Sequence, residues 1–171
     1  MKKVAVVTSA SGTGGTSLGR ALAHRLGVPF HELDALFWKA GWVESTAEEL
    51  HAAVEPIVAT DAWVIDGSYQ SKIGQLVLGN ADVVVWLDLP MRMWLPRLVA
   101  RTFRRARSGE ALWDGNRESL RNAFLSRDSL ILFTLRHFRV RRSTYPRRFA
   151  HYDVVRLRSQ GEIDRFLRSA E

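Results

Sequence analysis

One segment near the start of the chain restricts the fold more than any other. Residues 4–27 read VAVVTSASGTGGTSLGRALAHRLG. The run VAVVT is typical of a strand that is buried on both faces of a parallel sheet. The apolar residues that follow the glycine-rich turn recur on one stripe, which predicts a helix from Thr16 to a stop at Gly27. These apolar residues are Leu18, Ala21, Leu22 and Leu26.

The rest of the chain continues this alternation of strand and helix. Further strands are predicted at 29–33, 63–67, 82–90 and 153–158. Helices are predicted at 46–59, at 91–107 with a start or kink at Pro96, within 117–142 and at 162–169, with a short helix or loop at 70–79. Such alternation predicts an α/β fold with a parallel sheet. The 171 residues are enough for one compact domain, which we expect to span 1–171.

The glycine-rich turn nearly matches a phosphate-binding loop, whose pattern is G-x-x-x-x-G-K-[ST]. When Thr16 is placed on the Ser/Thr position, Gly14 occupies the second glycine. Ser9 then stands at the first glycine, and Gly15 stands where the pattern has lysine. Backbone N–H groups at a helix N-terminus bind anions, and the hydroxyl of Thr16 or Ser17 can reach Mg²⁺. The predicted phosphate-binding residues are Ser11, Gly12, Thr13, Gly14, Gly15, Thr16 and Ser17; the alternative is an ordinary βα turn.

Carboxylates follow several of the predicted strands. Ligands of open parallel sheets bind beyond the carboxyl ends of the strands. Asp66 can hold Mg²⁺ through water, although an aspartate before glycine is also typical of turns. Asp88 has the same two interpretations, and the structural one is favoured. Asp34 is flanked by Trp38 and Trp42, which would either stack on a substrate or pack into the core.

The positive charge is concentrated in one segment. The net charge is +7, and residues 92–148 hold fifteen arginines and four acidic residues. This segment predicts a polyanionic partner (nucleotide phosphates, nucleic acid or an anionic membrane), the alternative being a solvated surface. Arg97, Arg101 and Arg105 share one helix face, with Arg104 beside them. Arg117, Arg121 and Arg127 follow a polar turn, so the segment could fold over a triphosphate and clamp it.

Several other classes of site are disfavoured. The chain has no cysteine, which excludes disulfides and thiolate metal sites, and its five histidines show no paired spacing. The apolar run after MKK is too short for a signal peptide, and no stretch approaches the length of a membrane span. We therefore expect a cytoplasmic protein without a membrane partner.

A dinucleotide-binding fold is the competing interpretation of the loop. VVTSASGTGG resembles the T-G-x-x-x-G-x-G opening of short-chain dehydrogenases, and Asp34 lies where a ribose-binding acid would be expected. However, G-x-G-x-x-G fails because Ser17 would have to be glycine. The Tyr-x-x-x-Lys pair of that family is also absent, since Tyr69 and Lys72 are one residue too close.

Taken in order, segments along nearly the whole chain resemble one family. These segments are VVTSASGTGGTSLGRALAHRLG, HELDALFWKAGW, WVIDGSY, VVVWLDLP, RLVARTFRR, LWDGNRESLR, DSLILFTLRHFRVRR and VVRLRS. Together they resemble the small adenylate-kinase-like P-loop proteins, often labelled DNA topology modulation proteins. The resemblance implies a three-layer nucleotide-kinase fold with a parallel five-stranded sheet and an arginine-rich helical lid at about 97–148.

The resemblance also implies roles for particular residues. Catalytic roles are implied for Asp66, Arg101 and Arg105, with Thr16 and Asp66 near Mg²⁺. The implied acceptor site holds Asp34, Trp38, Gly67 and Tyr69. Lid positions are implied for Arg97, Arg117, Arg121 and Arg127, and Arg158 and Ser159 would border the base.

The sequence therefore predicts a protein that binds ATP with Mg²⁺ and transfers a phosphoryl group to a nucleotide or another small acceptor. The loop departs from the family at Ser9 and Gly15, and the lost lysine removes a cation from the phosphates. An arginine from 97–127 would have to replace it. The alternative is a nucleotide-binding protein with weakened catalysis that acts on nucleic acid through the basic segment.

Overall fold

The computed structural model describes residues 2–118 and 130–170. The strands are β1 Lys3–Thr8, β2 Phe30–Glu32, β3 Trp38–Lys39, β4 Val43–Glu44, β5 Trp63–Asp66, β6 Val83–Leu87 and β7 Val154–Leu157. The helices are α1 Gly15–Leu26, α2 Leu33–Phe37, α3 Ala47–Val58, α4 Gln70–Ile73, α5 Met91–Ser108, α6 Leu130–Arg148 and α7 Gln160–Ser169. Short 3₁₀ turns lie at Ala40–Trp42, Leu78–Asn80 and Trp113–Gly115. The predicted lid residues Arg121 and Arg127 lie outside the described residues.

A five-stranded parallel sheet forms the centre of the fold. Its strand order is β2-β5-β1-β6-β7, so β1 lies in the middle. Val6 of β1 pairs with Asp66 on one side and with Val85 on the other. The loop after β1 is therefore next to the carboxyl ends of β5 and β6. This arrangement confirms the predicted α/β fold with a parallel sheet.

Helices cover both faces of the sheet because its strands are apolar on both sides. Val4 and Val6 pack with residues of α1 and α7, whereas Ala5 and Val7 pack with residues of α2, α3 and the end of α6. Leu22 of α1 is completely buried. α3 begins with the predicted capping arrangement, in which the side chains of Thr46 and Glu49 cap each other's backbone N–H.

α5 and α6 pack together beside the loop that follows β1. Trp94 and Leu98 of α5 contact Phe138 of α6 in a cluster that includes Ala10 of the loop. A Cβ at Gly12 would lie 2.8 Å from the carbonyl oxygen of Trp94, so only glycine allows this close approach. α5 begins at Met91 rather than at Pro96, which lies inside the helix.

The structure also contains a short hairpin that was not predicted from the sequence. β3 and β4 form a short antiparallel hairpin, and residues 111–117 lie against it. The backbone N–H of Trp42 donates to Oδ1 of Asn116 at 2.9 Å, and Nδ2 of Asn116 donates to the carbonyl of Lys39 at 2.8 Å. The N–H of Ala40 donates to Oδ2 of Asp114 at 2.9 Å. These bonds fix the chain that leaves α5.

Within residues 2–118 and 130–170, none of the helices has the length and apolar character needed to cross a bilayer.

Candidate nucleotide and acceptor site

The loop between β1 and α1 has the geometry of an anion-binding turn. Gly14 caps α1 in the left-handed conformation, with φ of 91°. The N–H of Ser9 donates to Leu87 O and that of Leu18 donates to Gly14 O, whereas the N–H groups of Gly12 and of residues 14–16 have no acceptor among the described residues. Such N–H groups at the start of a helix suit a phosphate.

The side chains of the loop differ in their surroundings. Thr13 is buried, and its hydroxyl donates to the carbonyl of Ala10 at 2.9 Å. Ser11 is half-buried and Ser17 is exposed. The Thr16 hydroxyl points towards the ends of β5 and β2, where it contacts Asp66 and Glu32.

Gly15 lies where the phosphate-loop pattern has lysine, and the space beside it is filled. A Cβ at Gly15 would lie 2.7 Å from Cγ2 of Thr8 and 2.8 Å from Oδ1 of Asp66. Real Cβ atoms do not approach other atoms so closely, so any side chain here requires Thr8 or Asp66 to move. The loop therefore lacks room for a side chain as well as the cation.

Thr16 and Asp66 are joined across the ends of α1 and β5. The Thr16 hydroxyl lies 2.7 Å from Oδ2 of Asp66 and 3.2 Å from Oε1 of Glu32, and it can donate to one of them at a time. Burial raises the pKa of Asp66 to about 7; the Thr16 hydrogen bond opposes this shift, and the charges of Asp34 and Glu32 add to it. Glu32 was not predicted; its one sequence signal is its position at the end of a strand, two residues before Asp34.

Asp34 and Tyr69, both predicted for the acceptor site, are brought into contact. The Tyr69 hydroxyl donates to Oδ1 of Asp34 at 2.5 Å. Burial raises the pKa of Asp34, whereas the hydrogen bond from Tyr69 lowers it. Burial and the Asp34 charge raise the pKa of Tyr69. Gly67 turns the chain between β5 and Tyr69 with φ of 105°. The charges of Asp34 and Asp66 interact, and that of Asp66 also acts on Tyr69.

Two of the predicted lid arginines are half-buried, and they differ in their partners. Among the described residues no carboxylate forms an ion pair with Arg101, and its buried Nε has no hydrogen-bond partner. Burial and the nearby Arg105 lower the pKa of Arg101, while Glu118, Asp34 and Glu32 oppose this shift. Arg105 lies 3.4 Å from Glu110 and 3.8 Å from Glu118. Within the described residues, Arg101 is thus a partly buried cation without an ion-pair partner, and its charge interacts with those of Asp34, Glu32 and Glu118.

The other two described lid arginines are exposed. Arg97 is exposed and donates to Oε1 of Gln160 at 3.2 Å. Arg117 is exposed, and its carbonyl accepts a hydrogen bond from Nε1 of Trp42 at 3.3 Å. The i, i+4, i+8 spacing on α5 therefore brings Arg101 and Arg105 to the inner side but leaves Arg97 in solvent.

The tryptophans beside Asp34 are half-buried. Trp38 packs against Phe37 with ring centroids 4.9 Å apart, and Trp42 lies 5.6 Å from Trp38 and 6.4 Å from Trp113. Packing and partial exposure coexist, so both of the sequence-based interpretations remain open for these rings.

The residues predicted to border the base act locally at the start of α7. Oγ of Ser159 accepts from the N–H of Glu162 at 3.2 Å and so caps the helix. The N–H of Arg158 donates to Oε2 of Glu162 at 2.6 Å, and its side chain is exposed. A base-binding role for either residue stays a prediction.

Thr16 and Asp66 suit a weakly coordinated Mg²⁺ ion. Within the described part of the chain, no group of three or more His, Asp or Glu side chains is arranged to hold a metal ion. A single hydroxyl and a single carboxylate at hydrogen-bond distance fit the needs of Mg²⁺, which keeps several waters and is completed by phosphate oxygens. The residues present therefore fit this ion when a nucleotide accompanies it.

Comparison of the sequence with protein-family models gives no match. The curated proteins also contain no match to it.

Solved structures share the fold. A gluconokinase from Sinorhizobium meliloti 1021 is similar, with a TM-score of 0.56 and 20% identity, over 99% of this chain and 89% of that one. A sugar kinase from Janibacter sp. HTCC2649 gives a TM-score of 0.55 and 17% identity over 98% and 94% of the two chains. A shikimate kinase from Bacteroides thetaiotaomicron gives 0.51 and 19% over 98% and 95%. The chain therefore has the fold of small P-loop kinases.

Proposed function

We propose that the protein is a phosphotransferase that binds ATP with Mg²⁺ at residues 11–17 and phosphorylates a small hydroxylated acceptor held by Asp34. The observation that carries the proposal is the 2.7 Å contact between the Thr16 hydroxyl and Asp66. It joins the loop to a carboxylate at the neighbouring strand end, where Mg²⁺ and phosphate would meet. Fold neighbours described as a gluconokinase, a shikimate kinase and a sugar kinase support a small acceptor.

In this proposal each side chain of the site has a separate task. Thr16 and Asp66 would hold Mg²⁺, which when bound neutralises charge on the phosphates. Asp34 orients the acceptor hydroxyl and accepts its proton, which its raised pKa favours. Tyr69 fixes the orientation of Asp34 through their 2.5 Å hydrogen bond.

Arg101 is the proposed replacement for the missing lysine. It has no ion pair among the described residues, and it lies close enough to Asp34 for each to shift the other's pKa. A guanidinium in a partly desolvated site stabilises the negative charge of a transferring phosphoryl group. Arg105 is held by two glutamates, so Arg101 is the better candidate for the phosphate.

A second candidate function is nucleotide binding without turnover. The contacts at Gly15 favour it, because Thr8 and Asp66 fill the space that a loop lysine would need. In that case Asp66 and Thr16 would still bind Mg²⁺ and nucleotide, while phosphoryl transfer would be slow.

ATP consumption measured with a panel of sugars, sugar acids and nucleosides separates the two candidates. We expect one acceptor class to stimulate consumption, and Asp34→Asn to abolish this stimulation while ATP affinity is retained. Asp61→Asn serves as the control because Asp61 is exposed in the turn before β5. ATP binding without stimulation by any acceptor would favour the second candidate. Absence of ATP binding would contradict both.

A further inference from the structure

Ser9, which stands at the first glycine of the loop pattern, is held by a buried hydrogen-bond network. The side chain is fully buried. Its hydroxyl accepts a hydrogen bond from Nε1 of Trp86 at 2.8 Å and donates to Oδ1 of Asp88 at 3.2 Å. Glycine at this position could make neither bond. The Ser9 side chain, which the usual pattern lacks, therefore fixes the start of the loop through these two hydrogen bonds.

Asp88 is the centre of this network. It has 0% exposure and follows β6 directly. Its second oxygen, Oδ2, accepts from Nε and Nη2 of Arg156 at 3.1 and 2.5 Å. Nε of Arg142 lies 3.3 Å from the same oxygen. A buried carboxylate is stable only when charges and donors surround it, so these contacts support the structural interpretation of Asp88.

Arg156 and Arg142 come from different parts of the fold. Arg156 lies on β7, and its guanidinium stacks on the ring of Trp86 with 4.1 Å to the centroid. Arg142 lies on α6, and its side chain is 44% exposed. Asp88 therefore connects the phosphate loop with α6 as well as with the sheet.

α6 is also connected to the acceptor side of the site. Arg141, which precedes Arg142 on this helix, lowers the pKa of Asp34 through its charge. Phe138 of the same helix packs on Trp94 of α5, with ring centroids 5.1 Å apart, and α5 carries Arg101. A shift of α6 would consequently reach the loop through Asp88 and the cations of the site through α5.

We propose that Ser9 is a positioning residue for the phosphate loop and that Asp88 couples it to α6 through Arg142. The hydroxyl holds residues 9–16 in the shape that receives phosphate, and Arg142 acts on that shape through Asp88. The readout by nucleotide affinity rests on the proposed ATP binding, whereas the readout by hydrogen exchange does not.

Three variants form a double-mutant cycle: Ser9→Ala, Arg142→Gln and the two combined. Amide hydrogen exchange of a peptide covering 9–17 is measured in the free protein, and Mg²⁺–ATP affinity is measured by calorimetry. Arg142→Lys tests whether charge alone rescues the effect. Arg165→Gln on α7 is the charge-matched control, because Arg165 is exposed and forms no ion pair among the residues described.

A hydrogen bond to a charged group is strong enough that we expect each single variant to speed exchange of the 9–17 peptide about three- to tenfold. The same change should weaken Mg²⁺–ATP binding by a similar factor. The combined variant should resemble Ser9→Ala alone, because Arg142 reaches the Ser9 hydroxyl through Asp88. In both readouts Arg142→Lys should lie between Arg142→Gln and the wild type. Arg165→Gln should change neither readout.

Two results would overturn the coupling. One is a lower melting temperature of Arg142→Gln with unchanged exchange of residues 9–17, which would make Arg142 a stability residue only. The other is multiplication of the two single effects in the combined variant, which would show independent action. If no variant or wild-type protein binds Mg²⁺–ATP, the proposed function fails, while the exchange measurement still decides the coupling.

Discussion

At Gly15 the absence of a side chain allows two neighbours to approach the start of α1. Thr8 of β1 and Asp66 of β5 both occupy the volume that a Cβ would need. The sequence alone suggested a loop that lacks a cation, which lysine at this position would restore. The contacts add a second requirement, because Asp66 is held there by its hydrogen bond with Thr16. Any side chain at Gly15 would therefore displace the candidate Mg²⁺ ligands, whatever its charge.

Substitution of Gly15 by alanine and by lysine separates space from charge. We expect Gly15→Ala to lower the free energy of unfolding by about 1–3 kcal/mol, since overpacking moves Thr8 and Asp66. Both variants should weaken Mg²⁺–ATP binding measured by calorimetry, with Gly15→Lys no tighter than Gly15→Ala. Gly161→Ala is the control because a Cβ there meets no atom within 4 Å. Tighter binding by Gly15→Lys than by wild type would instead support the simple loss of a cation.

The raised pKa of Asp66 predicts a pH-dependent stability. Between the ordinary value of 3.8 and the folded pKa of about 7, the folded protein keeps a proton that the unfolded chain has released. The free energy of unfolding should therefore fall as pH rises through this window, by at most about 1.4 kcal/mol per pH unit from this group. Urea unfolding at about pH 5, 6 and 7 measures the slope.

Asp66→Asn should reduce that slope without removing it, because burial also raises the pKa of Asp34. Asp61→Asn should leave it unchanged, since Asp61 is exposed. An identical slope in wild type and Asp66→Asn would mean that Asp66 is already ionised throughout this range.

At the scale of elements, Asn116 links the chain that leaves α5 to the hairpin of β3 and β4. Its side chain makes three hydrogen bonds to backbone groups, two of them to residues of the hairpin region and one to Trp113. We expect Asn116→Ala to lower the free energy of unfolding by about 1–3 kcal/mol, because it leaves three partly buried backbone groups without these partners. Urea unfolding measures this change.

The matched control for Asn116 is Asn80→Ala. Asn80 is exposed, and its side chain donates one hydrogen bond, to Leu76 O at 2.8 Å. Its loss should change stability by no more than about 0.5 kcal/mol. Equal effects of the two substitutions would show that the contact between 111–117 and the hairpin adds no stability.

Local sequence signals predict the main elements well and the small ones poorly. The apolar run of β1, the stripe of α1 and the capping pair before α3 each depend on residues that are close in sequence, and all three are present. One residue of the predicted stripe is wrong, because Ala21 is exposed and Ala23 is buried instead. The two-residue strands β3 and β4 are too short to show a period. Their partner Asn116 is 74–77 residues away, so no local pattern could have revealed it.

The candidate site follows the same division. Asp34, Thr16 and Asp66 were predicted separately, because each lies beside a glycine-rich turn or after a strand, and Tyr69 was implied by the family resemblance. Their pairing depends on β2, β5 and β1 being neighbours in the sheet, which is a property of the strand order. Ser9 and Asp88 contact each other although they are 79 residues apart in the sequence. The sequence marked Ser9 as an unusual loop residue and gave Asp88 two interpretations, but it did not connect the two residues.

At the scale of the whole molecule, the arginine-rich segment is divided between inner and outer positions. Arg101 and Arg105 are half-buried near acidic side chains, whereas Arg142 is exposed although it contacts Asp88. Arg104 and Arg107 are exposed on α5. The net charge of +7 therefore has two separate consequences. The inner arginines can serve one small anion, and the outer ones raise the general attraction for polyanions.

This division predicts different ligands for the two sets of arginines. We expect Arg101→Gln to weaken Mg²⁺–ATP binding about tenfold, since it removes a charge-assisted contact to phosphate. Arg104→Gln should leave ATP binding unchanged and reduce any binding of duplex DNA. That DNA binding should be weak, with a dissociation constant of about 10⁻⁴–10⁻⁶ M at physiological salt, because scattered surface cations contact phosphates without reading sequence. Calorimetry measures ATP binding, and fluorescence anisotropy at several salt concentrations measures DNA binding.

If the inner arginines also contribute to DNA binding, ATP should compete with the DNA. Tight DNA binding that depends steeply on salt and is unaffected by ATP would instead identify the basic segment as a nucleic-acid surface, and would contradict the prediction that it is a lid over a nucleotide.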